Sequence, residues 1–155
     1  MRRRKRFALH GSRWKTSTLT YRVTKYPSRL SSRTTDRVIA AALRIWADAT
    51  NLKFARKTSG KVHIEIRFEK GRHGDEDDFD GRGGTLAHAF FPRQGRASGD
   101  IHFDDDEFWT LGSFRGVNLT QVAVHEIGHS LGLEHSSVRG SIMFPRWTTI
   151  HNNIK

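Results

Sequence analysis

The sequence predicts one α+β domain, in which an amphipathic helix packs on a twisted β-sheet. Three observations carry this prediction: short segments with alternating apolar residues, one longer segment with apolar residues at helical spacing, and a second helix signal at a histidine-rich motif. A length of 155 residues is sufficient for one domain with a substantial core. The sequence contains no cysteine, which excludes disulfide bonds and thiolate metal sites.

Four segments carry strand signals. Residues 18–24 alternate apolar side chains with threonine and arginine, and Pro27 ends the pattern. A short strand is predicted to begin at Leu52, and a clean alternation in residues 62–68 predicts another. Residues 86–92 are predicted to form a further strand. These segments supply the strands of the sheet.

The first helix signal begins near Thr35 and predicts about four helical turns. Its apolar positions recur every three or four residues and are Val38, Ala41, Ala42, Ile45, Trp46 and Ala49. We assign Trp46 to the core rather than to a cofactor site. The order strand, helix, strand, strand predicts a sheet with this helix packed on it.

The formal net charge of +11 is unevenly distributed. Five of the 27 basic residues stand in residues 2–6, whereas ten of the 16 acidic residues lie between Asp75 and Glu107. An acidic loop region on a basic body suits bound cations better than phosphates, so we expect no nucleic-acid partner. The basic face is compatible with contact to a heparin-like polyanion.

The basic run at residues 2–6 has three interpretations. It is compatible with a solvated tail, with a nuclear-localisation or nucleic-acid patch, or with a linker that is cut after Arg6. The letters RRKR at residues 3–6 resemble a furin-type processing site, and cleavage there would leave Phe7 as the new N terminus. We favour the processing site because of the motifs downstream.

The chain is organised around residues 125–135, which read HEIGHSLGLEH and fit the pattern H-E-x-x-H-x-x-G-x-x-H. On a helix, His125 and His129 are one turn apart, so both imidazoles can reach one ion. Gly132 lets the chain leave the helix, so that His135 can return as a third ligand. Three histidines with one open position are typical of a catalytic zinc site.

The surroundings of the motif support this interpretation. Glu126 projects beside the histidines, where it can take a proton from a metal-bound water rather than bind the metal. Asn118, followed by Gln121 three residues later, resembles a capping box that opens the helix. Met143 follows His135 by eight residues and is compatible either with core filling or with a turn beneath the metal.

Residues 73–107 are rich in glycine and aspartate, and this stretch is too long for an idle loop in a compact domain. Acidic loops are usually only solvated, but bound ions are the natural substitute for a core in so polar a segment. Nitrogen and oxygen ligands for a closed, structural zinc site are offered by His73, Asp75, His88 and His102. Hard oxygens suited to calcium, together with carbonyls of the glycine-rich turn, are offered by Asp80, Asp104 and Glu107.

These residues together closely resemble the catalytic domain of matrix metalloproteinases, the matrixins of the metzincin clan. The resemblance runs from about Phe7 to Trp147. Besides the histidine motif, it rests on FALHGSRW at residues 7–14, LAHAFFP at residues 86–92 and HFDDDEFW at residues 102–109. It implies a metzincin-like (zincin-like) fold, with a twisted, mostly parallel five-stranded sheet, two long helices, metal-bound loops and a Met-turn.

The resemblance also implies two zinc ions, at least one calcium ion, Glu126 as the general base and Met143 as the methionine of the Met-turn. The implied ligands of the catalytic zinc are His125, His129 and His135. The implied ligands of the structural zinc are His73, Asp75, His88 and His102. The implied calcium ligands, some of them through backbone carbonyls, are Asp80, Gly81, Gly83, Thr85, Asp104 and Glu107.

The chain departs from the family pattern in two regions. The resemblance implies a specificity pocket with Gln121, Pro145 and Trp147, but Gln121 stands at a position that is often leucine and Trp147 where tyrosine is usual. At a second calcium site of the family, Asp100 is kept, whereas His63 stands where an aspartate is expected. These differences predict a reshaped pocket and argue against the second calcium.

We expect residues 1–6 to be a basic linker and residues 7–155 to be a matrixin-type catalytic domain without the family's C-terminal helix. The family's propeptide and haemopexin-like domain are not part of this sequence, so we expect a propeptide and other domains in the full-length protein.

The predicted function is that of a secreted zinc-dependent endopeptidase acting on proteins of the extracellular matrix or on other secreted and cell-surface proteins. An exposed edge on the strand at residues 86–92 would bind an extended substrate by strand addition. The alternative is a non-catalytic matrix-binding module that uses its metal sites only for folding. Glu126 argues against that alternative, because a binding module has no use for a base beside an open zinc position.

Overall fold

The computed structural model describes residues 8–93, 95–113 and 115–145. The two helices are α1, Ser32–Ala49, and α2, Leu119–Ser130. The strands are β1, Ala8–Leu9; β2, Thr18–Lys25; β3, Lys53–Arg56; β4, Ile64–Glu69; β5, Ala87–Ala89; β6, Ile101–Asp104; β7, Trp109–Thr110; β8, Val117–Asn118; and β9, Leu133–Glu134. The predicted processing site at residues 3–6 and the predicted pocket residue Trp147 lie outside the described residues.

Five strands form one sheet in the order β3-β2-β4-β6-β5. The first four are parallel to one another, and β5 runs antiparallel to β6 at the edge. Neighbouring parallel strands need a crossover connection, which α1 supplies between β2 and β3. The predicted α+β architecture, with a mostly parallel five-stranded sheet and two long helices, is confirmed.

Helix α1 begins at Ser32, three residues before the predicted start, because Ser31 caps it by accepting a hydrogen bond from the Thr34 backbone N–H at 3.1 Å. Its buried stripe comprises Thr35, Val38, Ile39, Ala42, Leu43 and Trp46. The prediction that Ala41, Ile45 and Ala49 share this face is wrong, since all three are exposed. At about 100° per residue, Ala41 lies about 60° and Ile45 about 20° outside the Val38 edge of this stripe, whereas Ala49 falls within the stripe but is the last residue of the helix.

Helix α2 begins after Asn118, whose side-chain oxygen accepts the Gln121 backbone N–H at 3.2 Å, so the predicted cap is confirmed. The helix packs on α1, where the Trp46 indole donates to the Val124 carbonyl at 2.8 Å. It ends at Ser130, and Gly132 turns the chain with a φ of 99°. This left-handed conformation is the one that the motif glycine was predicted to supply.

The segment before β2 is tied to the end of α2. Strand β1 pairs antiparallel with β9, and the Trp14 indole donates to the Ser130 carbonyl at 2.9 Å. The Ser130 hydroxyl in turn donates to the Gly99 carbonyl at 2.7 Å. These bonds join the N-terminal segment, the end of the motif helix and the loop before β6. Among the described residues, no helix has the length and apolar character needed to cross a membrane.

Candidate functional site

Helix α2 and the turn after it bring three imidazoles together; we call His125, His129 and His135 the three-histidine cluster. The Nε2 atom of His129 lies 3.1 Å from that of His125 and 3.2 Å from that of His135. The third edge, from His135 to His125, is also 3.2 Å. A tetrahedral zinc with bonds of about 2.0 Å needs its ligand nitrogens about 3.3 Å apart, so the triangle fits this ion.

Backbone carbonyls orient two of these rings. The Nδ1 of His125 lies 2.8 Å from the Ile142 carbonyl oxygen, and the Nδ1 of His129 lies 2.7 Å from that of Leu133. Because a carbonyl only accepts, each Nδ1 carries the proton and each Nε2 keeps a lone pair for a metal. Sequence reasoning missed both partners, since every residue carries a carbonyl and no side-chain signal marks them.

Burial also favours the metal-binding form of these histidines. Burial lowers the pKa of His125 to about 4, and the neighbouring histidines act in the same direction. The pKa of His129 is lowered too, again chiefly by burial. Both rings are therefore neutral at pH 7 and offer lone pairs to a cation.

Glu126 lies beside the cluster with only 5% of its surface exposed. Burial raises the pKa of this carboxyl to about 8, because the charged form loses its hydration. A bound metal ion would act in the opposite direction, since a nearby positive charge favours the carboxylate. The position of Glu126 next to the cluster, on the wall of a cavity, agrees with the predicted role of a base.

The cavity over the three-histidine cluster has a volume of about 550 Å³. Its lining residues are Ala87, His88, Ala89, Phe91, Glu126, His129, Glu134 and His135. One wall is thus β5, the edge strand of the sheet, which spans 87–89 rather than the predicted 86–92. An extended peptide could pair with this edge beside Glu126.

Sequence reasoning did not single out Phe91 and Glu134 as lining residues. Phe91 stacks on His10, with ring centroids 3.8 Å apart, and its ring lies nearly perpendicular to that of His129, with centroids 5.7 Å apart. Glu134 belongs to β9, which pairs with the N-terminal strand. Both stand inside quoted motif segments, residues 86–92 and 125–135, but neither was assigned a role, because its place at the cavity depends on how β1 and β9 meet.

Met143, the residue expected at the Met-turn, packs against the motif helix. It has no exposed surface, and its backbone carbonyl accepts the Ser136 N–H at 2.8 Å. A Cβ atom added to Gly128 would lie 2.3 Å from the Met143 sulfur, so the side chain packs directly against α2. The turn thereby supports the helix that carries two of the three histidines.

A second group of ligand atoms meets around one carboxylate; we call His73, Asp75, His88 and His102 the four-residue cluster. The Oδ2 atom of Asp75 lies 2.9 Å from His73 Nε2, 3.0 Å from His88 Nε2 and 2.7 Å from His102 Nδ1. The buried His73 Nε2 makes no hydrogen bond of good geometry within the described residues, although Asp75 Oδ2 lies 2.9 Å away, and this suits an atom meant for a metal. The set fits a closed zinc site.

The electrostatics of this cluster agree with that assignment. Burial alone would raise the pKa of Asp75, but hydrogen bonds from His88 and His102 lower it, so the group is a carboxylate. Burial lowers the pKa of His102 to about 4, and the nearby Arg67 guanidinium acts in the same direction. The cluster therefore presents the Asp75 carboxylate and a neutral His102 imidazole.

The predicted calcium residues meet in one acidic loop region. Asp80 accepts the Thr85 N–H at 3.0 Å, and Glu107 accepts the Gly83 N–H. The Oδ2 atom of Asp104 is buried without a hydrogen-bond partner in the described part of the chain. Burial raises the pKa of Asp104, and the neighbouring acids add to this effect despite a hydrogen bond from the Asp106 N–H. A buried, unpartnered carboxylate oxygen among other acids fits a bound cation.

The calcium residues are less converged than the two histidine clusters. Gly81 lies in the same turn with a φ of 82°. Within the described ranges, the acidic side chains of this region do not form a tight group of three ligand atoms comparable to either cluster. The fit to calcium therefore rests on the carboxylate of Asp104 and the turn around it.

Two of the three predicted specificity residues lie in the described part of the chain, and neither lines the cavity. Gln121 and Pro145 are both exposed and are not among the residues that line it. At the second calcium position of the family, the His63 ring lies 3.0 Å from the Thr20 backbone nitrogen, and Asp100 accepts the Glu65 N–H at 3.1 Å. Both side chains are therefore hydrogen-bonded to backbone N–H groups of the sheet, at Thr20 in β2 and Glu65 in β4.

The fold and the buried glutamate beside three histidines define the class of zinc-dependent metalloproteases. The family profile described as Matrixin matches residues 13–155. The chain belongs to the matrixin family of zinc-dependent endopeptidases.

Individual relatives agree with this membership. Stromelysin-3 of Xenopus laevis is 49% identical over 146 residues, which are 94% of this chain and 30% of that protein. Macrophage metalloelastase of Rattus norvegicus is 49% identical over 142 residues, or 92% of this chain and 30% of that protein. Matrilysin of Rattus norvegicus is 46% identical over 140 residues, or 90% of this chain and 52% of that protein. The chain therefore spans between about a third and half of the length of these curated relatives.

Proposed function

We propose that this chain is the catalytic domain of a secreted endopeptidase that cleaves proteins of the extracellular matrix or other secreted and cell-surface proteins. The observation that carries the proposal is the triangle of Nε2 atoms, with edges of 3.1–3.2 Å, beside the buried carboxylate of Glu126. Zinc bound by this triangle supplies a Lewis acid for the peptide carbonyl and lowers the pKa of water to about 7.

The chain's own groups perform the remaining work. Glu126 takes a proton from the attacking water and passes it to the leaving amine, which needs a carboxylate beside the cluster. The edge strand β5 holds the substrate backbone in an extended conformation along the cavity. The carbonyls of Ile142 and Leu133 hold the imidazoles of His125 and His129 in the required tautomer.

The test of this function is hydrolysis of a quenched collagen-like peptide by the chain and by a Glu126→Gln variant. We expect the variant to lose about 10²- to 10⁴-fold in kcat, because the proton transfer has no base, while it keeps its zinc. Asp48→Asn, which removes an exposed carboxylate on α1, is the matched control and keeps full turnover.

Comparable turnover by Glu126→Gln and the parent would refute the assigned base. A folded, zinc-loaded parent without turnover would instead favour the non-catalytic matrix-binding module. Zinc content measured on each protein separates these outcomes from simple loss of the metal.

We propose that the four-residue cluster holds a second zinc and that the acidic loop binds calcium. The second zinc is supported by the three nitrogens within 3.0 Å of the Asp75 carboxylate. Calcium is supported by the buried, unpartnered oxygen of Asp104, with the remaining ligands contributed by Asp80, Gly81, Gly83, Thr85 and Glu107. Metal analysis of the purified protein should give two zinc and at least one calcium per chain.

We propose that residues 7–155 form the catalytic domain and that cleavage after Arg6 releases it from a longer precursor. The basic residues 2–6 support this processing, and the short coverage of the relatives supports a longer protein with a propeptide and other domains. N-terminal sequencing of secreted protein should start at Phe7; a different start would contradict cleavage after Arg6.

We also propose a contact with heparin-like polyanions, which the excess of basic residues supports. Salt-dependent retention on a heparin column would test this contact.

The specificity pocket is proposed to include Gln121, Pro145 and Trp147 on the strength of the family resemblance.

A further inference from the structure

Arg67 contacts a predicted metal ligand across the sheet. It stands in β4 directly opposite His102 of β6, and its Nη2 atom lies 3.0 Å from the Nε2 atom of that ring. The opposite nitrogen of the ring, Nδ1, faces Asp75 Oδ2 at 2.7 Å and His88 Nε2 at 3.1 Å. One imidazole is therefore shared between a guanidinium and the four-residue cluster.

The polarity of the Arg67 contact conflicts with metal binding. A guanidinium can only donate, so His102 must accept at Nε2, and a neutral ring then carries its proton on Nδ1. Nδ1 is the atom that faces the other ligands of the cluster. A neutral His102 bound to a metal through Nδ1 would have its proton on Nε2, where it would point at the Arg67 donor.

Three of the other predicted ligand histidines have a backbone carbonyl at the ring nitrogen that faces away from the metal position, which is the usual arrangement. Carbonyl oxygens lie 2.7–2.8 Å from the Nδ1 atoms of His73, His125 and His129. Acceptors in this place fix the ligating tautomer and raise the basicity of the ring. At His102 a cation occupies the place of the acceptor, and it is held close by Glu69, whose carboxylate lies 3.7 Å from Arg67 Nη1.

We propose that Arg67 competes with zinc for His102 and thereby weakens metal binding at the four-residue cluster. This inference rests on the proposed second zinc site. Arg67 acts as a positioning residue, because it selects the ring tautomer without reaching the metal position. His88 belongs both to this cluster and to the cavity wall. Zinc bound at the cluster would therefore hold the edge strand β5 in a fixed conformation beside the cavity.

The test compares zinc affinity of the parent and of Arg67→Met, which removes the donor and keeps the length of the stem. Competition with a chromophoric chelator gives two release phases, and the phase lost in Asp75→Asn is that of the four-residue cluster. We expect Arg67→Met to tighten this phase about tenfold or more and to leave the other phase unchanged. Arg67→Ala, which also removes the donor, is a second variant in case the methionine side chain disturbs the sheet.

Arg22→Met is the matched control. Arg22 lies on β2 opposite Glu65, on the same sheet face, and also has a buried Nε atom without a described partner. It has no contact with the cluster among the described bonds, so its removal reports the effect of losing one positive charge from this face. We expect it to leave both release phases unchanged.

The ring tautomer provides a readout that does not depend on zinc. Long-range ¹⁵N–¹H spectra of the metal-free parent should show His102 protonated at Nδ1, and the Arg67→Met spectrum should show the Nε2 proton gaining population. Equal zinc affinities in parent and variant, or a parent ring already protonated at Nε2, would overturn the proposal. One zinc per chain in every variant would also overturn it, and would leave the catalytic assignment to the Glu126 experiment.

Discussion

Gly132 shows how one residue can bring a side chain into the three-histidine cluster. Its φ of 99° ends the motif helix and returns the chain so that His135 reaches His125 and His129. An added Cβ would lie 2.3 Å from the carbonyl oxygen of Ser12, since the N-terminal segment crosses at this point. Glycine is therefore required twice, for its backbone angle and for the space it leaves.

We predict that Gly132→Ala lowers both stability and zinc affinity. The strain of the left-handed conformation costs about 1–2 kcal/mol, and the collision with Ser12 adds to it by displacing the turn that carries His135. Urea unfolding and chelator competition measure the two effects. Gly140→Ala is the matched control, because Gly140 has a φ of 80° and no atom within 4 Å of an added Cβ. Equal losses in both variants would contradict a role for the Ser12 contact.

Helices α1 and α2 and the Met-turn act as one packed unit beneath the cavity. The Trp46 indole donates to the Val124 carbonyl, and Met143 packs directly against Gly128. This packing fixes the position of α2 relative to β5. It thereby fixes the distance between Glu126 and the edge strand across the cavity. The burial of Met143 favours core support over direct contact with a metal.

We predict that Gly128→Ala destabilises the protein by about 1–2 kcal/mol, although alanine is the better helix former. The new methyl would stand 2.3 Å from the Met143 sulfur and 3.0 Å from a carbon of Trp46. In a Met143→Val background the space is relieved, so the same substitution should be neutral or stabilising by up to about 1 kcal/mol. Urea unfolding of the four proteins measures this coupling; equal effects in both backgrounds would refute the close contact.

Across the whole molecule, the acidic loops differ from the sheet and helices in having few buried apolar residues of their own. Between β4 and β5 the chain contributes Phe79 as its buried apolar residue, stacked on His73 at a centroid distance of 4.7 Å. Without cations, Asp104 would keep an unpartnered buried oxygen next to other acids. The main core, in contrast, is built from the sheet and the two helices.

We predict that metal removal loosens residues 73–89 while the sheet and α1 remain folded. A ligand present at 1,000 times its dissociation constant stabilises the folded state by about 4 kcal/mol, and chelation removes that contribution. Hydrogen exchange of chelated and zinc- and calcium-loaded protein should therefore differ chiefly in this loop, with the α1 amides as the internal control. Equal protection of the loop in both samples would contradict the proposed ions.

Helix α1 carries more apolar residues than its buried face contains. Periodicity located the helix and assigned Trp46 to the core, but it also placed Ile45 on the buried face, where the structure leaves it 45% exposed. Apolar residues on adjacent ridges look alike in a sequence, and only the position of α2 and the sheet decides which ridge is covered.

The sequence by itself determined the α+β class, the helix of the histidine motif and the side chains of both clusters, because helical spacing and glycine placement are local properties of the chain. Only the tertiary structure decided that β5 forms the cavity wall, that carbonyls of Ile142 and Leu133 orient the ligands, and that Arg67 faces His102. These contacts join segments far apart in sequence through backbone atoms and strand register. Both depend on the packing of the complete sheet, which a single sequence does not display.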